Sequence, residues 1–226
     1  MAGMDVVFIS CDSYDFPPKL RGYRYCPTGL YVTPPVSLNM RFIAVVGARE
    51  CSAWGREVAW ESGSIIASEG FTLVTGLASG VDVSASLGAL ETGGLVVGVR
   101  PWLKPLNLPS EAREVLRYHY GRVVITSEHY IRPTAKVETL YFLRNRLIAG
   151  MAELVVVVEA KPGGGSMHQI TWTLKQGKPL AIYKHINERS TYYRAYEEFI
   201  KHKGVIILKD VDDLRRYIEE ELKPSF

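Results

Sequence analysis

Phe42-Ile43-Ala44-Val45-Val46 runs into Gly47-Ala48-Arg49, and Phe71-Thr72-Leu73-Val74 runs into Thr75-Gly76-Leu77-Ala78-Ser79-Gly80. Leu154-Val155-Val156-Val157-Val158 does the same into Glu159-Ala160-Lys161-Pro162-Gly163-Gly164-Gly165-Ser166. Each apolar run is short, rich in β-branched residues and nearly free of polar positions, the pattern of a strand buried on both faces. Strands of that kind belong to a parallel sheet covered by helices. Parallel strands end at one edge, so three loops far apart in sequence meet along a single crevice. Glycine lets a backbone approach an anion closely, and the helix that follows presents unpaired N–H groups with a partial positive charge. The expected guest is a phosphate group, cradled by Gly47, Ala48, Gly76, Ser79, Gly80, Gly164, Gly165 and Ser166.

The flanking sequence extends the alternation. Strands are predicted at 42–46, 71–75, 95–99, 122–126, 154–158, 179–183 and 205–208. Helices are predicted at 53–69, 80–92, 136–150, 189–202 and 211–222, with another ending at Gly177 and a short one from Ser110, read as its N-cap. Such alternation implies right-handed βαβ units. The fold class is therefore α/β: a Rossmann-like, mostly parallel sheet with helices on both faces, in a single domain. The chain of 226 residues, 47% hydrophobic, has room for one sizeable core. Met4 to Ser10 reads as a short strand, and Tyr14 to Pro35, rich in Pro, Gly and Tyr, as a structured lead-in or arm. The expected organisation is a lead-in over 1–40 packed on the core, a core over 41–184, and an α/β extension over 185–226 that completes the domain.

Several function classes are set aside. No Gly-Lys-Ser/Thr triplet follows a glycine loop, and no loop reads Gly-x-Gly-x-x-Gly with an acidic residue beyond it, which argues against Walker-type ATP hydrolysis and dinucleotide chemistry. Cys11, Cys26 and Cys51 are odd in number without a C-x-x-C spacing, so they read as free thiols. The histidines 119, 129, 168, 185 and 202 show no metal-ligand spacing, so neither a metal nor a cofactor is expected. No stretch is long and apolar enough to span a membrane and no basic leader precedes an apolar core, so a cytoplasmic protein is expected. A formal net charge of +3 permits a nucleic-acid partner, and the placement of the charge decides.

Ordered blocks of the chain resemble the DprA/Smf family of DNA-processing proteins. Tyr14-Asp15-Phe16-Pro17-Pro18 and the segment from Pro27 to Val32 are similar to the family's lead-in. Val46-Gly47-Ala48-Arg49 resembles its V-G-S-R turn, followed by Trp54-Gly55 in place of Tyr-Gly. Thr75 to Asp82 is similar to S-G-L-A-R-G-I-D, Gly88-Ala89-Leu90 to G-A-L, and Ser127-Glu128 to S-E-Y. Arg144-Asn145-Arg146-Leu147-Ile148-Ala149-Gly150 reproduces R-N-R-x-I-A-G, and Val157-Val158-Glu159-Ala160 its V-V-E-A strand end. The resemblance covers roughly residues 14 to 184. The chain departs at Ser79, where the family has arginine, at Gly164-Gly165, where it has S-G, and at Gln169, where it has threonine. The resemblance implies single-stranded DNA binding without catalysis, a homodimer, and loading of a RecA-type recombinase.

The candidate contacts are Arg49, Tyr141, Arg144, Asn145, Arg146, Lys175 and Lys178. Arg49 sits one step past a strand, where its guanidinium forks onto a phosphate or closes the sheet edge as an ion pair. Tyr141 to Arg146 joins an aromatic ring to two cations, the combination a single-strand binder uses. By comparison with the family's F-P-x-R-N, Tyr141 takes the base-stacking position and Phe142 replaces a proline. On a helix Arg144 and Asn145 lie on different faces, so one is expected to anchor the strand end at Glu159 while another contacts ligand, and one of Arg144 and Arg146 either has a structural role or joins the contacts. Lys175 and Lys178 either contact DNA or complement a helix dipole. Trp102 and Tyr192-Tyr193 fall in segments without an obvious buried face, which adds to the expectation of a homodimer. Two alternatives share the fold. The glycine run at 163–165 is similar to the loop of LOG phosphoribohydrolases, although Gln169 replaces an acid, and a nucleotide-sensing binding module would use the same crevice.

Overall fold

A computed structural model describes residues 5–34 and 37–223. Nine strands form one sheet in the order β1-β2-β6-β5-β4-β3-β7-β8-β9. They are β1 (Val7–Ser10), β2 (Gly29–Val32), β3 (Phe42–Val46), β4 (Thr72–Thr75), β5 (Val96–Val99), β6 (Val123–Ser127), β7 (Ala152–Val157), β8 (Leu180–Tyr183) and β9 (Val205–Leu208). From β6 to β9 every pairing is parallel, as the continuous apolar runs require. The crossovers after β3 build the sheet outward through β4, β5 and β6, whereas β7, β8 and β9 build it on the other side of β3. The chain reverses its direction of travel between β3 and β7, and loops diverge from that point to leave a crevice.

Helices cover both faces. One face carries α1 (Ala53–Ser68), α2 (Val81–Glu91), α3 (Ser110–Tyr118) and α7 (Val211–Tyr217); the other carries α4 (Val137–Met151), α5 (Gly165–Lys175) and α6 (Thr191–Phe199). Ser52 caps α1, its Oγ accepting from the Gly55 N–H at 3.0 Å. The helices α1 and α2 cross closely at Gly63, where a Cβ would lie 1.9 Å from the Ala85 carbonyl oxygen. Among the described residues no helix is long and apolar enough to cross a membrane.

The lead-in does more than pack on the core. Its strands β1 and β2 pair antiparallel with each other, and β2 pairs antiparallel with β6, so they extend the sheet. Met4, the expected start of the first strand, lies outside the described residues. Pro109 rather than Ser110 caps α3, because its extended backbone already turns the chain into the first helical residue. Ser190 caps α6, which is shorter than expected, and the last helix loosens after Tyr217 into a π-helical turn over Ile218–Leu222. The aromatics expected to lack a buried face have one. Trp102 is only 5% exposed and its indole N–H donates to the Pro105 carbonyl, Tyr192 donates to the Glu50 carbonyl, and Tyr193 packs against the cluster around Tyr196 and Phe199.

Candidate functional site

The ends of β4, β3 and β7 lie side by side and open into a crevice of about 580 Å³. The three glycine loops, α4 and the start of α5 wall it, but the loops are not equivalent. In the second loop three of the backbone amides are already occupied. Oδ2 of buried Asp82, at the start of α2, accepts from the N–H groups of Gly76 at 3.1 Å and Ala78 at 3.2 Å, and Glu111 accepts from that of Gly80. Ser79 and Gly80 do not line the crevice, and Leu77, buried at φ 50°, turns its side chain into the core. The third loop is different. Gly164 caps α5 without a side-chain bond, Gly165 faces open space, and the first N–H groups of a helix have no intrahelical partner. This end of α5 and the Gly47-Ala48-Arg49 turn are the surfaces suited to an anion.

Above them, three guanidinium groups surround one ring. The central carbons of Arg144, Arg100 and Arg49 stand 5.6, 5.7 and 5.9 Å from the centroid of Tyr141. Arg144 is buried and donates from Nη1 to the Val99 carbonyl at 2.7 Å. Arg100, also buried, donates to the Gly76 carbonyl at 2.6 Å and to the Tyr141 hydroxyl at 3.2 Å. Burial pushes Arg144 down to about 10, with the neighbouring Arg100 charge acting in the same direction and Asp82 opposing it. Burial likewise raises the Asp82 carboxyl, against the pull of Arg144. An anion in the crevice would relieve this excess of buried positive charge. Arg49 is exposed and makes no hydrogen bond or ion pair among the described residues.

The remaining candidates divide. Asn145 is buried and lines the crevice. Arg146 lies outside it, with Nη2 at 2.7 Å from both carboxylate oxygens of Glu128. Lys178 donates to the carbonyls of Gly150 and Ala152 at the far end of α4, a helix-terminal role, and Lys175 stands over the Trp172 ring. Neither Arg144 nor Asn145 anchors Glu159, and the structural pairing of Arg146 is with Glu128 instead. The Glu159 carboxylate accepts from Ser52 N at 2.9 Å, Ser52 Oγ at 2.6 Å and His185 Nε2 at 3.0 Å, and so fixes the start of α1. Two further site residues carry little signal in the sequence: Arg100, which directly follows β5, and Asp82, the second residue of α2. Gln169, 2% exposed, also lines the crevice, and neither atom of its amide has a partner among the described residues. Among the described residues no three His, Cys, Asp or Glu side chains gather to hold a metal ion.

The sequence profile of the DNA recombination-mediator protein A family matches residues 7–219. The chain belongs to that family. Among its DNA recombination-mediator protein A relatives, the DNA processing protein DprA of Bacillus subtilis is 29% identical over 179 residues, covering 78% of this chain and 59% of its own length. The chain spans about half the length of the curated relatives it matches. DprA from Streptococcus pneumoniae superimposes with a TM-score of 0.82 at 22% identity, over 97% of this chain and 75% of its own. DprA from Helicobacter pylori, whose structure concerns its single-stranded DNA binding mode, gives 0.80 at 19% identity over 96% and 97%. These two likenesses show the fold of the family.

Proposed function

We propose that the crevice binds single-stranded DNA and that the protein acts in DNA processing and recombination without catalysing a reaction. The observation that carries this reading is the Tyr141 ring held among Arg49, Arg100 and Arg144 at the mouth of a crevice with open helix N–H groups. A ring for stacking and cations for the backbone are what a single strand requires. Of the carboxylates that line the crevice, Asp82 holds the second loop and Glu50 pairs with Lys161, while Glu138 at the start of α4 is exposed and has no partner among the described residues; Glu159, outside the lining, holds α1. Gln169 is neutral and cannot act as a general base. A homodimer, a RecA-type recombinase partner and a cytoplasmic site of action belong to the same reading, supported by the family. The exposed side chains of Val7 and Phe8 on β1 and Ile207 on β9, at the two sheet edges, give self-association a surface.

Fluorescence anisotropy with labelled oligonucleotides tests the central claim. Single strands are expected to bind more tightly than duplex at about 50 mM salt, and to weaken steeply as salt is raised. Equal affinity for the two, or no binding, defeats the reading. Release of free base from a nucleoside monophosphate, followed by chromatography, would defeat the absence of catalysis, and a monomer mass in light scattering at micromolar concentration would defeat the dimer.

A further inference from the structure

A row of aromatic rings leaves the crevice along α4 and α5 and ends on the lead-in. Phe142, beside Tyr141 on the crevice wall, has its ring centroid 5.2 Å from that of His168 and 5.3 Å from that of Trp172. Trp172 meets Tyr25 edge-on at 5.6 Å, and Tyr25 lies 5.6 Å from Tyr23. Cations interleave with the rings. Lys175 Nζ stands 5.5 Å from the Trp172 centroid, and the Arg24 guanidinium carbon 5.6 Å from that of Tyr25.

Packing accounts for Trp172, which is buried and whose indole N–H donates to the Phe142 carbonyl at 2.9 Å. It also accounts for Tyr23, which is half-buried against the core, but not for Tyr25 and the polar groups beside it. Tyr25 is 43% exposed, and Arg24, His168 and Lys175 are exposed as well. Neither Arg24 nor Lys175 pairs with a carboxylate among the described residues. Burial raises the Tyr23 phenol, and apart from Tyr25 the charges that act on it are the cations Arg146 and Arg24. A protein partner would favour a patch depleted of charge at its centre, and duplex DNA has no unstacked base to offer such rings. Accessible rings with intervening cations suit an extended single strand, because every base has a π-face and every linkage a negative charge.

We propose that this row is a second, sequence-tolerant track on which a single strand continues after leaving the crevice, with Phe142 and Tyr25 as base platforms and Arg24 and Lys175 as backbone contacts. The track rests on the single-strand reading of the crevice. It gives the segment around residues 23–25 a role in binding and sets the direction of the strand, from Tyr141 across α5 to the lead-in.

Anisotropy with two oligonucleotides, one of about 4 nucleotides that occupies the crevice alone and one of about 20 that reaches the lead-in, tests it. Tyr25→Ala is expected to weaken the long oligonucleotide roughly 5- to 100-fold and to leave the short one unchanged. Tyr25→Phe, which keeps the ring, is expected to bind both as the parent does. Lys175→Gln is expected to flatten the salt dependence for the long oligonucleotide only, and it keeps the test sharp should Tyr25→Ala fail to fold. Parent-like binding of the long oligonucleotide by folded Tyr25→Ala, or equal losses for both lengths, overturns the track while the crevice reading stands. If the parent binds neither oligonucleotide, both fall.

Discussion

A methyl group on Gly76 would stand 2.1 Å from Nη1 of Arg144. The end of β4 and the middle of α4 touch at this point because residue 76 has no side chain, and the guanidinium is pinned there by its 2.7 Å bond to the Val99 carbonyl.

Gly76→Ala is therefore expected to push the Arg144 guanidinium off its site. The buried head group cannot swing into water as an exposed arginine would. Denaturant titration should show a loss of about 1–3 kcal/mol, the usual range for overpacking a filled site. Oligonucleotide affinity should fall with it, since the charge beneath Tyr141 is displaced. An unchanged midpoint would mean that Arg144 is not held as described.

Tyr141 and Arg49 should report different physics. Truncation of Tyr141 to Ala is expected to weaken single-strand binding by about 1–3 kcal/mol with little change in salt dependence. Arg49→Ala should flatten the slope of log K against log salt by roughly 0.7, the increment for one phosphate contact on a single strand. Anisotropy across a salt series separates the two. If folded Tyr141→Ala binds like the parent, the ring is a packing residue of α4.

Gln169→Leu should act in opposite directions on stability and on binding. The amide is buried without a partner, so an apolar side chain of similar size is expected to leave thermal stability unchanged or raise it. If the amide meets a polar group of the strand, affinity for a single-stranded oligonucleotide falls by about 1 kcal/mol or more. Lower stability with unaltered affinity would assign Gln169 to the core.

Alkaline pH should weaken the fold through Tyr183. Burial raises its phenol above the ordinary tyrosine range, and the hydroxyl lies 3.0 Å from Ser62 Oγ. In the unfolded chain the phenol ionises near pH 10, as tyrosines ordinarily do, while in the fold it stays protonated. Above that pH the folded state binds the extra proton, so stability falls as pH rises. Tyr183→Phe should remove one tyrosine's share of that slope, at a cost of about 1 kcal/mol near neutral pH from the lost hydrogen bond. Denaturant midpoints at about pH 8 and about pH 11 would reveal it, and parallel slopes in parent and variant would refute the assignment.

The sequence alone determined the parallel sheet, the order of its strands and helices along the chain, and the three glycine loops at one edge. Those features are local: a buried strand needs an apolar run, and a turn into a helix needs glycine or a capping hydroxyl such as that of Ser52. The R-N-R block likewise marked α4 as a wall of the site. Only the tertiary structure decided which groups there remain available. Asp82 occupies two amides of the second loop, Glu128 takes Arg146, Lys178 closes α4, and Arg100 joins Arg49 and Arg144 around Tyr141. The partners in most of these pairs come from different elements, brought together by the strand order that sets β4, β3 and β7 side by side. Apolar periodicity records which residues are buried but not which buried polar group meets which, because hydrogen bonds and charge pairing depend on distances of a few ångströms across the fold.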